Sequence, residues 1–359
     1  MHNRVYSKIH QNIFRPNWLY NEIRHKNKLW LDKNENTDKK LTEFIKKIFN
    51  NLDICYFNSY PNLSKLYLKL SKFLKISPEE ILLTNGSDGG IRAVFETFIN
   101  PNDLVVRTEP TFAMYSIYCK IYKTKEILIK YNKELCLDIG FILKTIKSKK
   151  PKLVCLPNPD SPTGQIIEEK LIKKILAEAL KSKTFVLIDE AYFEYYQKTF
   201  IYKINNFPNL IIVRTSGKAY GLSGARIGYL ISNKKIIKKL HQTKSMYEVN
   251  YVGAELFFQL LKKNNNNFIQ NIVKEHLIAK TFFENKIKKL GYNIIKTYSN
   301  FVIVDFKKNT KEVLARIKKL CYFKYFCEGP LKGKARFSLT NFKNFKKILK
   351  LINYINEKN

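Results

Sequence analysis

The sequence predicts an α/β fold: a large domain built on a mostly parallel sheet flanked by helices, then a smaller α/β domain at the C-terminus. Three observations predict it. Short apolar runs alternate with runs of helical spacing between residues 81 and 213, the pattern of successive βαβ units. Each apolar run ends in a polar or glycine-rich turn. The chain has 359 residues and is 45% hydrophobic, which suits one large domain plus a second, smaller one.

Composition narrows the function classes. No run of about eighteen apolar residues occurs, so no membrane span is expected. The opening residues MHNRVYSKIHQ contain no apolar signal region. The six cysteines, Cys55, Cys119, Cys136, Cys155, Cys321 and Cys327, lack CxxC spacing. Most sit in apolar runs and read as reduced core residues of a cytoplasmic protein. The formal net charge is +35, with lysines spread along the whole chain and no dense basic tail. That spread reads as composition, not as a nucleic-acid-binding device. The charge still steers anionic substrates.

Residues 1 to about 30 are polar and aromatic and read as an arm with a short helix. Leu29-Trp30-Leu31 is a strand end leading into the turn Asp32-Lys33-Asn34-Glu35-Asn36. Residues 41–49 and 63–74 carry apolar residues at helical spacing, with Tyr60-Pro61 in the loop between them. Ser77-Pro78-Glu79-Glu80 is a turn or helix start before the apolar strand 81–84. Next come Asn85-Gly86-Ser87-Asp88-Gly89-Gly90 and the helical run 91–99. A strand, a tight glycine turn and a helix start make an anion site. The first N–H groups of a helix lack partners, and its dipole is positive there. Ser87 adds a hydroxyl. Strands at 104–107, 125–130, 152–156, 184–188 and 210–213 continue the pattern, with helices at 111–118 and 171–180. Past residue 230 the chain turns helical at 234–241 and 254–261. A polar loop at 264–267 precedes a long helix ending near 290. Short strands and helices then alternate to the end. The expected division is an arm at 1–35, packing on the small domain or a partner subunit, a large domain at 36–250 and a small domain at 251–359.

In open parallel sheets, ligands bind at the carboxyl ends of the strands. Asn158, Asp189 and Lys218 all stand just past strand ends, one βαβ step of roughly thirty residues apart. Lys218 belongs to the stretch IIVRTSGKAYGLSGARIG, residues 211–228. Arg226 follows eight residues later, in a loop containing Gly221, Gly224 and Gly228. A lysine amine delivered just past a buried strand can form a Schiff base. An arginine in a loop of small residues approaches an anion bidentately. An amine beside an anion clamp suits pyridoxal phosphate (PLP).

These segments together resemble the fold-type I PLP enzymes, and within them the histidinol-phosphate aminotransferase-like branch. The matching pieces are Asn34-Glu35-Asn36, Tyr60-Pro61, Gly86-Ser87-Asp88, Pro157-Asn158 with Pro162-Thr163-Gly164, Asp189-Glu190-Ala191-Tyr192, the stretch 214–228, and Arg336 within Ala335-Arg336-Phe337-Ser338. The likeness spans most of the chain. It implies a seven-stranded large-domain sheet, a homodimer and an aminotransferase of cytoplasmic biosynthesis. The amino group would pass between glutamate and a small phosphorylated keto or aldehyde compound. Residue by residue, Lys218 would bond PLP and move the substrate proton, and Asp189 would pair with the ring nitrogen. Tyr192 and Asn158 would bond the ring's phenolate oxygen. Gly86, Ser87, the Asp88 backbone, Thr215 and Arg226 would hold the phosphate, and Phe112 would stack on the ring. Tyr60 would reach the cofactor phosphate of the neighbouring subunit. Arg336 and Asn34 would bind substrate.

The sequence departs from the family pattern at several points. Gly217 stands where a Ser or Thr is usual, which removes a phosphate hydroxyl that Thr215 or Ser216 would replace. The Asn-Pro-Thr-Gly turn is two residues longer, Asn158-Pro159-Asp160-Ser161-Pro162-Thr163-Gly164. Asn158, Asp160 or Ser161 can face the ring, and Asn158 is the expected one. Phe112 replaces a stacking tyrosine. Residues 323–333 lack the extra arginine expected for histidinol phosphate, for which Lys324, Lys332 or Lys334 would substitute. The same machinery serves the alternative reading, a decarboxylase of a phosphorylated amino acid of the serine- or threonine-phosphate type. A DNA-binding regulator on this fold needs a helix-turn-helix segment, and roughly thirty residues before Asn34 leave no room for one.

Overall fold

The structure is a computed structural model that describes residues 23–356. The arm and short helix expected before residue 23 lie outside the described residues. The first strand, β1 (Leu29–Trp30), pairs in parallel with Cys321 and Tyr322 near the other end of the chain. Helices α1 (Lys39–Phe49) and α2 (Ser64–Leu74) follow. Asp38 caps α1 by accepting from Lys40 N–H.

The large sheet is then laid down as β2 (Ile81–Thr84), α3 (Gly86–Phe98), β3 (Leu104–Glu109), α4 (Met114–Ile121), β4 (Lys125–Lys130), α5 (Ile139–Lys149), β5 (Leu153–Pro157), α6 (Glu169–Lys181), β6 (Phe185–Asp189), α7 (Phe193–Tyr196), β7 (Leu210–Thr215) and β8 (Gly228–Ser232). Its seven strands run in the order β2-β8-β7-β6-β5-β3-β4. Only β8 is antiparallel to its neighbours. The central strands are buried on both faces, which is why they read as continuous apolar runs. Side chains alternate between the faces. Leu153 and Cys155 join one core cluster while Val154 and Leu156 join the other, and Ile211 and Val213 likewise oppose Leu210 and Ile212. The edge strand β4 carries exposed Lys125 and Lys130, which discourages pairing with another chain.

Sequence reasoning located six of these strands. It missed β8, which begins at a glycine directly after the Lys218 loop. It also missed α5, despite its Asp138 cap, whose carboxylate accepts from Phe141 N–H at 2.8 Å. Helix α3 starts at Gly86, so the expected glycine turn is in fact its first turn.

Helices α8 (Lys234–Thr243), α9 (Tyr251–Leu260) and α10 (Lys263–Lys289) lead to the small sheet. The stretch 264–267, expected as a loop, is helical. Asn265 Nδ2 donates to Gln259 O at 2.8 Å, and Asn266 Oδ1 accepts from Tyr220 at 3.1 Å. Asn265 thereby satisfies a carbonyl at the end of α9, and Asn266 ties the first turn of α10 to the Lys218 loop. The remaining elements are β9 (Asn293–Ile295), β10 (Phe301–Asp305), α11 (Thr310–Leu320), β11 (Cys321–Tyr322), β12 (Lys324–Tyr325), β13 (Ala335–Ser338) and α12 (Phe342–Asn356). The small antiparallel sheet has the order β12-β13-β10-β9. A third apolar cluster joins its Phe301 and Ile303 to Ala191 and Tyr192 at the end of β6.

All six cysteines are free. Cys119, Cys155 and Cys321 are buried, but Cys55, Cys136 and Cys327 are exposed, against the expectation that most are core residues. Among the described residues no helix is long and apolar enough to cross a membrane.

One buried ion pair ties β6 to β7. Arg214, on β7, donates to Glu190 Oε2 from Nε at 3.0 Å and from Nη2 at 2.7 Å, and its guanidinium lies 3.6 Å from the Phe193 ring centroid. Burial, the largest single effect, lowers the Arg214 pKa, but the Glu190 charge and hydrogen bond together with the nearby Tyr229 and Glu194 outweigh it and the net shift is upward. Glu190→Ala strands this cation in the core. The expected loss of stability is about 3–5 kcal/mol, read as a lower denaturant midpoint.

Candidate active site

The carboxyl ends of β5, β6 and β7 are level with one another, since Pro157 pairs with Asp189 and Asp189 with Val213. A cavity of about 380 Å³ opens there. Its walls are the strand ends, the start of α3, the loop from Gly217 to Arg226, and Lys33 and Glu35 from the N-terminal turn. Glu35 is clamped by Arg24, whose Nη1 donates at 2.6 Å and Nη2 at 3.1 Å.

The loop that carries Lys218 is closed at its base by Ser216 N–H donating to Ile227 O at 3.0 Å. Lys218 Nζ projects into the cavity, donates to the Lys33 carbonyl at 3.4 Å, and stands 5.8 Å from the Tyr192 ring centroid. Asp189 is the last residue of β6 and is 6% exposed. Burial pushes its carboxyl up to about 6, while the Ala191 N–H, the Tyr115 hydroxyl and the Lys218 charge pull it down. The Ala191 N–H donates at 3.0 Å and the Tyr115 hydroxyl at 3.1 Å. An amine and a buried carboxyl therefore share one cavity and feel each other's charge.

One end of the cavity is built for an anion. The start of α3 has no side-chain cap, so its first N–H groups are unclaimed by a capping oxygen. The Asp88 carboxylate is turned aside, accepting from Tyr118 at 2.9 Å. Arg226 adopts a left-handed backbone, φ 57°, a conformation that in a non-glycine residue costs energy and clusters at functional sites. Its guanidinium lies against Gly86, where a Cβ would come within 2.7 Å of Nη2. Gly86 itself has φ 72°, so a side chain there is excluded twice over. Gly228 allows β8 to touch α3, since a Cβ would approach Ser87 N to 2.6 Å. Hydroxyls from Ser87, Thr215 and Ser223 complete this end. Phe112 and Ala191 supply apolar wall. Uncapped N–H groups, a guanidinium and hydroxyls at one end, with an amine and a buried carboxyl beyond, fit a phosphorylated pyridine aldehyde.

Eight of the residues singled out by sequence line this cavity: Ser87, Asp88, Phe112, Asp189, Tyr192, Thr215, Lys218 and Arg226. Others do not. Asn158 turns inward, and its Oδ1 accepts from Ile167 N–H at 2.8 Å. The cavity is lined by Ser161 in its stead. Ser216 is fully buried, with Oγ donating to Ile227 O at 2.9 Å. Gly86 stands behind Arg226. Asn34, φ 56°, reaches the site through Tyr192, donating from Nδ2 to its hydroxyl at 2.9 Å. That leaves the Tyr192 proton free for a ligand. Tyr60 is 75% exposed and stacks on Tyr247 with centroids 4.0 Å apart. Arg336, on β13, donates to Ser161 Oγ at 3.3 Å and to Asp32 O at 3.0 Å. Its buried Nε has no hydrogen-bond partner among the described residues.

Sequence reasoning overlooked Tyr115 and Ser223 and underrated Asp160. Tyr115 lies in the first turn of α4, three residues after Phe112, whose carbonyl accepts from Tyr115 N–H at 3.1 Å and whose ring meets the Tyr115 ring edge-on at 6.4 Å. Asp160 is fully buried and accepts from Tyr131 at 2.7 Å and Thr111 at 2.9 Å. Burial pushes it up to about 7, and nearby Asp189 adds to the rise.

The family model for aminotransferase class I and II matches residues 26–334. The chain is 35% identical over 293 residues to the histidinol-phosphate aminotransferase of Caldanaerobacter subterraneus subsp. tengcongensis, covering 80% of this chain and 81% of that protein. It is 37% identical over 284 residues to the enzyme of the same name from Thermoanaerobacter pseudethanolicus, covering 77% and 78%. The crystal structure of histidinol-phosphate aminotransferase from Sinorhizobium meliloti in complex with pyridoxal-5'-phosphate shares the fold, with TM-score 0.81 and 17% identity over 99% of this chain and 98% of that one. An amine, a buried carboxyl and an anion pocket on this sheet, together with relatives at this level of identity, make the chain a member of the class I and II aminotransferase family: a PLP-dependent enzyme of fold type I, in its histidinol-phosphate aminotransferase-like branch.

Proposed function

We propose that this aminotransferase passes an amino group between glutamate and the keto partner of histidinol phosphate, acting as a cytoplasmic homodimer. The observation that carries the phosphorylated substrate is Arg336. It is a buried guanidinium touching Ser161 on the cavity wall, with its Nε unpartnered among the described residues. Lys324 pairs directly opposite Arg336 in the β12–β13 register, and residues so paired share a face of the sheet. This register favours Lys324 as the substitute for the arginine missing from residues 323–333. Lys334 instead donates to the Lys332 carbonyl at 3.4 Å.

PLP supplies an aldehyde that captures amines and a ring that accepts the electron pair released at the substrate carbon. The chain supplies the rest. Lys218 Nζ would hold the cofactor through its aldehyde carbon, and the same amine is the base placed to take the proton from the substrate carbon and deliver it to the carbon on the far side of the nitrogen. Asp189 would keep the ring nitrogen protonated. The Tyr192 hydroxyl, its oxygen steadied by Asn34, would donate to the ring oxygen. Ser87, the Asp88 N–H, Thr215 and Arg226 would bind the phosphate, and Phe112 would cover the ring.

The homodimer is supported by an exposed apolar patch. Ile54, Tyr56, Phe57, Tyr60, Met246 and Tyr247 are each at least half exposed, and Tyr56 and Phe57 both contact Tyr251. Patches of this kind mark protein interfaces.

Holoenzyme mixed with glutamate alone is expected to release one equivalent of 2-oxoglutarate and lose the long-wavelength absorbance of its cofactor. Histidinol phosphate should bleach the same absorbance and release its own keto product far better than histidinol does, and Arg336→Ala should erase that preference by about 10²-fold in KM. Carbon dioxide release from a phosphorylated amino acid, or equal use of histidinol and its phosphate, would overturn the proposal.

A further inference from the structure

Gly217 leaves the position before Lys218 without a side chain. A Cβ there would lie 3.3 Å from Thr215 Oγ1, 3.3 Å from Ser223 Cα and 3.4 Å from Ser223 Oγ. Two hydroxyls therefore already border the space that a serine at 217 would use. The Thr215 oxygen is engaged. It accepts from Gly217 N–H at 3.1 Å and donates toward Ile227 O at 3.5 Å. Ser216 is turned into the core.

Ser223 comes from the other limb of the loop and, like Thr215, lines the same cavity as Ser87, Lys218 and Arg226. Its hydroxyl donates to the Gly217 carbonyl, folding the loop back so that residue 223 stands beside residue 217. Arg226 Nη1 donates to the Ser223 carbonyl at 3.2 Å, so one short loop sets the serine and the guanidinium at the same end of the cavity. A serine hydroxyl has a single proton. A phosphate oxygen is a charged acceptor and makes a stronger bond than a peptide carbonyl, so a phosphate arriving here takes that proton.

We infer that Ser223 is a ligand of the cofactor phosphate and supplies, from five residues beyond the lysine, the hydroxyl that is missing immediately before it. The inference rests on the reading that the phosphate sits between the start of α3 and Arg226. It accounts for the tolerance of glycine at 217: the loop delivers the same functional group to the same space from its other limb. It also predicts crowding when both positions carry a hydroxyl, since the contacts at 3.3 to 3.4 Å leave little slack.

The test is equilibrium titration of cofactor-free protein with PLP, and separately with pyridoxal, which lacks the phosphate. Ser223→Ala is expected to raise the Kd for PLP about tenfold, the worth of one hydrogen bond to a charged group. It should leave the Kd for pyridoxal and the thermal midpoint of the cofactor-free protein unchanged. Gly217→Ser in the Ser223→Ala background should restore PLP affinity to within about threefold of wild type. Gly217→Ser alone should not improve on wild type. Arg226→Ala, the control for the phosphate end, should weaken PLP more than Ser223→Ala does. If Ser223→Ala binds PLP as wild type does while Arg226→Ala is weakened, Ser223 is not a phosphate ligand. If affinity for pyridoxal falls equally, the serine acts on the loop and the inference fails. If Arg226→Ala is also without effect, the phosphate lies elsewhere and both readings fall together.

Discussion

Lys218→Ala is expected to abolish turnover, with a loss of at least about 10⁴-fold, because one amine performs two jobs: it holds the cofactor and it moves the substrate proton. The cavity offers a rival in Lys33, which lines the same wall. Two features separate them. Lys33 is exposed at the mouth, whereas Lys218 is half-buried beside Asp189. Lys218 Nζ is also oriented by the Lys33 carbonyl on one side and the Tyr192 ring on the other. Borohydride treatment of the wild-type holoenzyme should fix the cofactor mass to the peptide containing Lys218 and leave the Lys33 peptide unlabelled. The Lys218→Ala protein should bind cofactor without any reducible link. Label on Lys33, or turnover surviving in the variant, would remove the basis of the assignment.

The parts of the site that sequence reasoning recovered are those at strand ends. A polar residue directly after a buried apolar run has one place to be, the carboxyl edge of the sheet, and Asp189, Thr215 and Lys218 all follow that rule. What escaped it depends on how the chain bends after the edge. The longer turn after β5 sends Asn158 back to cap Ile167 N–H and brings Ser161 to the wall. No local pattern distinguishes those two positions. Thr215 and Ser216 look equivalent in sequence, yet adjacent side chains at a strand end point to opposite sides, so one lines the cavity and the other fills the core. Ser223 and Tyr115 come to the site by a loop reversal and by a helical face. Arg336 needs the pairing of β13 with β10 before it has any neighbour at all. Strand β8 was hidden for a related reason: its partners β2 and β7 are distant or antiparallel, and its first residue is the glycine that α3 requires.

Asp189→Asn should separate the cost of a buried carboxylate from its use. Burial pushes the carboxyl up to about 6 in the cofactor-free fold, from an ordinary value of 3.8. An acid raised in this way contributes stability that is full below its unfolded value and is lost as pH rises through the folded one. At pH 8 the wild-type protein therefore carries an ionised group that the fold disfavours. Asparagine has the same shape, and its amide can still accept from Ala191 N–H while Tyr115 turns its hydroxyl to accept. Cofactor-free Asp189→Asn should accordingly be more stable than wild type at pH 8, by roughly 1–3 kcal/mol. That advantage should shrink as pH falls through about 6 and be gone below the ordinary carboxylate range, where the wild-type carboxyl is protonated in both states. Function should move the opposite way. Without a negative charge beside the ring nitrogen, turnover should drop at least about 10²-fold. Wild-type cofactor affinity should weaken as pH falls through about 6, and that step should vanish in the variant. Thermal unfolding and PLP titration across this range read both signs. A variant less stable than wild type at pH 8, or one that turns over normally, would show that Asp189 is not a buried carboxylate held for the cofactor.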